Sequence, residues 1–168
     1  MRYIFANVIA AGPIDWKAPL TAEGQPGIAE CEMILADENC EIIESFADAS
    51  GFCLARYSEH IGSGAIVVGH SVEFHHGALR AAMIPMGIDP HDGRVMTICT
   101  MLGLTGHAMK FNGRKGWPTF AEACHWAGVD RAATESAEDN ARCLRLVFAQ
   151  MQRQGIVPEP KVWKERNG

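Results

Sequence analysis

The segment Ala65-Ile-Val-Val-Gly-His-Ser-Val-Glu-Phe-His-His-Gly77 constrains the fold more than any other part of the chain. A short β-branched run with no polar alternation is what a strand buried on both faces requires, and this one halts at Gly69. The polar cluster that follows opens into a helical period over Val72 to Met86, which Pro85 must end or kink. A strand that feeds a helix through a polar turn is the unit of an α/β sheet. Such sheets place their chemistry beyond the carboxyl ends of their strands. His70, His75 and His76 fall at that position.

The rest of the chain supplies the neighbours. Tyr3 to Ala10 reads as a buried strand ended by Gly12-Pro13, and Ile28 to Ala36 resumes as a second. Asp37-Glu-Asn-Cys40 is a turn signal, returning as the hairpin strand Glu41 to Phe46. Gly51 to Ile61 predicts a helix with Phe52, Ala55 and Ile61 turned inward. Arg94 to Thr100 is a further strand, and Pro118 to Gly128 a helix with proline at its start and glycine near its end. Thr134 to Gln154 predicts a long last helix with an apolar stripe of Leu144, Val147, Phe148 and Met151, closed by Gly155.

A chain of 168 residues suits one domain able to bury roughly two-thirds of its unfolded surface. We place that domain at residues 1–157 and an irregular tail at 158–168. Residues 1–99 carry five basic against thirteen acidic side chains, net −8, and residues 100–168 carry ten against seven, net +3. That balance is wrong for tight non-specific duplex binding, which rests on neutralising phosphates. The six cysteines show neither C-x-x-C pairing nor zinc-like spacing, so they are expected to be reduced thiols in a cytoplasmic protein. The apolar run of residues 1–12 is short and broken by Asn7, and reads as a first strand rather than a signal peptide. No segment approaches the ~20 apolar residues that cross a membrane.

Several segments together resemble the DEDD (DnaQ-like, RNase T-like) 3′–5′ exonucleases. Gly69-His-Ser-Val-Glu-Phe is similar to that superfamily's second motif, G-H-N-x-x-F-D, with His75 in the place of the aspartate. Gly27 to Asn39 and Glu44-Ser-Phe look like its second and third strands. Ile98-Cys-Thr-Met-Leu and Gly113 to Ala123 look like the stretch after the second motif, and Glu135-Ser-Ala-Glu-Asp-Asn-Ala141 resembles the third, H-x-A-x-x-D-A. The resemblance runs from about Tyr3 to Gly155. It implies a ribonuclease H-like exonuclease fold: a mixed five-stranded sheet, three antiparallel strands then two parallel, flanked by helices.

The resemblance also implies two divalent metals held by four carboxylates, with water activated between them. Here the matching positions carry Asn7 and Ile9 on the first strand, then His75, and Asn140 in the third motif, with Glu135 in place of a general-base histidine. A slip of one residue gives Ala6 and Val8, or His76, or Asp139, instead. One reading follows: a catalytically degenerate protein that keeps the scaffold to bind single-stranded nucleic acid or a protein partner and needs no cofactor. The alternative is an active exonuclease on single-stranded DNA or RNA, using Mg²⁺ or Mn²⁺ at an altered metal site around His75 and Asp139. For binding, Lys110-Phe-Asn-Gly-Arg-Lys-Gly-Trp117 combines Lys110, Arg114 and Lys115 with Trp117 in a glycine-bearing loop, suited to tracking phosphates while an aromatic stacks on a base. Homodimerisation is compatible with the resemblance.

Overall fold

Alternation along the first strand decides the layering. In the computed structural model, β1 (Arg2–Ala10) sends Ile4, Ala6 and Val8 to one face of the sheet and Tyr3 and Phe5 to the other, and nearly all are fully buried. A strand apolar on both faces must lie inside a sheet covered on both sides. β1 does: it pairs antiparallel with β2 (Ile28–Asp37), and parallel with β4 (Ile66–Gly69) over Tyr3 to Phe5. The structure describes the whole chain except residues 16, 49, 109, 111, 112, 114, 115, 131–135 and 165–168.

The sheet runs β3-β2-β1-β4-β5-β6, with β3 (Ile42–Ala47), β5 (Met96–Cys99) and β6 (Lys161–Val162) completing it. β1 to β3 are antiparallel, β1, β4 and β5 parallel, and β6 runs back against β5. Cys40, in the left-handed region at φ 64°, closes the β2–β3 hairpin, and Asp37 Oδ1 accepts the Asn39 and Glu41 N–H groups at 2.9 Å each.

α1 (Gly51–Gly62) and α2 (Val72–Met83) cover the Ile4–Val8 face, while α5 (Ala137–Gln154) covers the Tyr3–Phe5 face. Phe148 of α5 meets Tyr3 and Phe5 edge-on, at ring distances of 4.9 and 5.5 Å. A short α3 (Thr100–Gly103) follows β5, and α4 (Phe120–Ala127) packs on α5. Thr119 and Glu122 begin α4 with a capping box, and Gly128 ends it in the left-handed region. Pro118 therefore precedes the N-cap. Pro85 falls in a single 3₁₀ turn, Ile84–Met86, that stops α2 as expected.

Two expectations change. Phe52 is 74 % exposed and Ala55 also faces solvent; α1 buries Cys53, Leu54, Tyr57 and Ile61 instead. Ser50 caps the helix and the Cys53 thiol donates to the Ala47 carbonyl at 2.8 Å, which fixes its phase one residue later than the pattern suggested. The tail is not irregular throughout. Lys161 and Val162 form a sixth strand, so the sheet has six strands rather than five, and residues 158–164 pack on the domain. The Trp163 N–H donates to the Val95 carbonyl at 2.8 Å, and the indole lies edge-on to His76 at 4.8 Å with the Arg80 guanidinium 5.7 Å above it.

Trp163 is only 8 % exposed and closes one end of the α1–α2 core. Trp163→Ala is expected to cost about 3–5 kcal/mol, the usual toll of truncating a large buried aromatic. Urea unfolding should show it as a lower midpoint with the slope retained.

Candidate functional site

Gly69 ends β4, and the next turn is unusually tight. Ser71 takes a left-handed conformation at φ 70°, and a Cβ on Gly69 would lie 2.9 Å from the Val72 Cα and 3.3 Å from His75 Cδ2. Only glycine lets α2 fold back so closely on the strand. That approach carries His75 under β1. β4 pairs with β1 only as far as Phe5, so the β1 edge beyond it needs another hydrogen-bonding partner. The His75 ring supplies one: its Nδ1 accepts the Val8 N–H at 3.1 Å, and its Nε2 faces the His70 carbonyl at 3.0 Å. Because Nδ1 accepts, the proton sits on Nε2, which donates to His70. Both ring nitrogens are therefore spent on backbone groups.

The other matched positions lie on the opposite face of β1, under the start of α5. Asn7 and Asn140 are buried and Ile9 is half-buried. Asp139 sits in the first turn of α5, where its carboxylate accepts the Ser136 hydroxyl at 2.8 Å and its N–H donates to Ser136 Oγ at 3.1 Å. This is a helix cap that also favours the positive end of the dipole. Glu135 lies outside the described residues, as do Arg114 and Lys115.

Two carboxylates that sequence reasoning missed stand beside these positions. Glu32 of β2 is the cross-strand partner of Asn7 and is 5 % exposed; Glu30 pairs with Ile9 and accepts the Ala137 N–H of α5 at 3.1 Å. The i, i+2 spacing of Glu30 and Glu32 was a visible signal. What hid its meaning was the β1–β2 register, set across the long loop of residues 11–27.

The four matched positions by themselves do not fit a pair of hard divalent ions. Such ions need several anionic oxygens, and Asn7, Ile9, His75 and Asn140 supply none. Among the described residues no three His, Cys, Asp or Glu side chains are arranged to hold a metal.

The basic–aromatic loop is anchored at the same end of the sheet. His70 Nε2 donates to the Pro118 carbonyl at 2.9 Å while its Nδ1 meets the Thr100 hydroxyl at 3.1 Å. Trp117, next to Pro118, is 59 % exposed. The Lys110 side chain approaches Gly116: its ammonium would lie 3.8 Å from a Cβ there. Lys110 thus comes close to Gly116, the residue that precedes the exposed Trp117.

Burial pushes the pKa values of His75 and His76 down, each to about 4; for His75 the His70 carbonyl opposes this, and for His76 Asp92 opposes it while Arg80 adds to it. Burial also lowers that of His70, against the Pro118 carbonyl. The unfolded chain, with histidines near 6.5, then binds more protons between pH 6.5 and 4 than the folded one. Stability is accordingly full above about pH 6.5 and falls as pH drops toward 4, by up to about 3 kcal/mol for each of the two buried rings. Denaturant titrations across that window should show the fall, and His75→Gln should remove one proton's worth of its slope. Gly69→Ala should destabilise by about 1–3 kcal/mol at neutral pH, because the new methyl meets backbone.

No family model matches this chain, and no curated protein does. Solved structures resemble it. A 3′-exonuclease described in 3′-end-specific recognition of a histone mRNA stem-loop superposes with a TM-score of 0.65 at 10 % identity, over 99 % of this chain and 87 % of that one. The nuclease domain of a DEDDh family member bound to rAMP gives 0.64 at 10 % identity, over 98 % and 97 %. E. coli exonuclease I in complex with a dT13 oligonucleotide gives 0.60 at 12 % identity, over 92 % of this chain and 42 % of that one, so the chain spans less than half of exonuclease I. At such identities the common property is architecture: the chain has the ribonuclease H-like fold of these 3′-exonucleases, here with a six-stranded mixed sheet.

Proposed function

We propose that this protein binds single-stranded nucleic acid without hydrolysing it. The observation that carries the reading is the engagement of His75. The side chain at the place of a metal-binding aspartate spends both ring nitrogens on the Val8 N–H and the His70 carbonyl. With Asn7, Ile9 and Asn140 at the other matched positions, the means of holding two ions and activating water are gone. Binding is favoured by exposed Trp117, with Lys110 near the adjacent Gly116, next to the Pro118 carbonyl that His70 ties to the β4 end. Neighbours of this fold are described bound to rAMP, in recognition of a histone mRNA stem-loop, and in complex with a dT13 oligonucleotide.

Binding and cleavage are read on the same 5′-labelled single-stranded DNA and RNA. Fluorescence anisotropy should report salt-sensitive binding, weakened about tenfold by Trp117→Ala through lost stacking and less by Lys110→Ala. With Mg²⁺, Mn²⁺ or Zn²⁺ the strands should keep their length. Shortening that disappears in His75→Ala or Asp139→Ala would establish the active-exonuclease alternative instead. Intact strands with no binding would leave a protein partner as the use of the scaffold.

A further inference from the structure

The outer edge of the sheet at β3 has no part in the nucleic-acid reading. β3 is the last strand on its side, with β2 as its neighbour, and its six residues make it three times as long as β6 at the other edge. Such a strand turns unpaired N–H and C=O groups outward, where another strand can take them up. Soluble proteins blunt an edge of this kind with lysine, proline or a bulge. β3 carries neither lysine nor proline, and the shift in its pairing with β2 is confined to Leu35 and Ala36, so Glu44 to Ala47 run in regular register. Ile42 and Ile43 are 48 % and 56 % exposed on it.

α1 borders this edge. The Arg56 guanidinium grips the Glu44 carboxylate through Nη2 at 2.7 Å and Nε at 3.2 Å, and the His60 ring meets the same carboxylate at 3.2 Å. Phe52 stands one helical turn before Arg56 on the same side of α1 and is exposed. Backbone groups, two isoleucines and an aromatic ring are thus left open together.

Charge selects what can dock there. Residues 28–48, the whole β2–β3 hairpin, hold seven acidic side chains and no Lys or Arg. Three bases that reach the hairpin are already engaged: Arg56 with Glu44 and Glu59, Arg145 with the Cys40 carbonyl, and the Met1 amino group with Glu38. Glu41 and Asp48, at the two ends of β3, are exposed. A second copy paired edge to edge would set two acidic hairpins against each other, like charge on like. A nucleic acid meets the same repulsion.

We propose that β3 takes up an extended segment of a partner protein as a further strand, and that this segment is basic, its lysines or arginines alternating with apolar residues. Backbone pairing along β3 supplies affinity, the apolar side chains cover Ile43 and Phe52, and the bases meet Glu41 and Asp48. This surface is separate from the Trp117 loop, so either can fail without the other.

The probe is a synthetic peptide, Lys-Val-Lys-Ile-Lys-Val-Lys, added to the intact isotope-labelled chain without nucleic acid. Amide shifts should gather on residues 42–47 and 52 at about millimolar peptide. Ile43→Ser should weaken binding about tenfold, the worth of one covered isoleucine. Glu41→Lys should weaken it too, most at low salt. The same peptide with every backbone amide N-methylated keeps its charge but cannot pair, and should not bind. Equal binding by that version would reduce the contact to charge alone and overturn the proposal. So would shifts centred elsewhere, or no binding at about 10 mM peptide. Sedimentation showing a dimer that Ile43→Ser converts to monomer would give the edge to a second copy instead.

Discussion

The hydrogen bond from the Val8 N–H to His75 Nδ1 holds together the part of the molecule on which the rest depends. β1 outruns its parallel partner β4, and the strand edge left over lies in the interior, where an unpaired N–H is costly. A neutral imidazole delivered from α2 fills that place and hands its own proton to the His70 carbonyl. His70 in turn fastens Pro118 and Thr100. One line of contacts thus links the first strand, the β4–α2 turn, the end of β5 and the start of α4. It works only while the imidazoles stay neutral, which burial ensures.

The same contacts show what an imidazole does at position 75 of this architecture. A carboxylate at position 75 would carry charge toward an ion; an imidazole there ties two pieces of backbone. Around it, Asn7 and Asn140 keep the size and polarity of acids without the charge, and Ile9 gives up polarity altogether. The scaffold tolerates this because its stability rests elsewhere: on Phe148 against Tyr3 and Phe5, and on the Cys53–Ile61 face of α1 over the sheet.

Much of this was legible in the sequence. The strand order, the β2–β3 turn at Asp37–Cys40, the stop at Pro85 and the last helix all follow from local signals, because each rests on a nearby residue with one strong preference. What escaped depends on distant partners. The phase of α1 is set by Ser50 and the Ala47 carbonyl, the sixth strand by the free edge of β5, and the meeting of Asn7 with Glu32 by a register across a long loop. No local pattern encodes these. Where His75 points was hidden too, since Gly69 had first to allow the helix so close.

The placement of Trp163 has a consequence for how the molecule is made. His76 and Tyr57, which share a 2.7 Å hydrogen bond, lie in the middle of the chain, yet one side of their enclosure comes from residue 163. Without residues 161–163 in place, the domain shows an apolar seam along α2 and an open β5 edge, both features that invite mispairing. Docking of Trp163 closes the seam and pairing of Lys161 and Val162 covers the edge, so one short segment removes two liabilities at once.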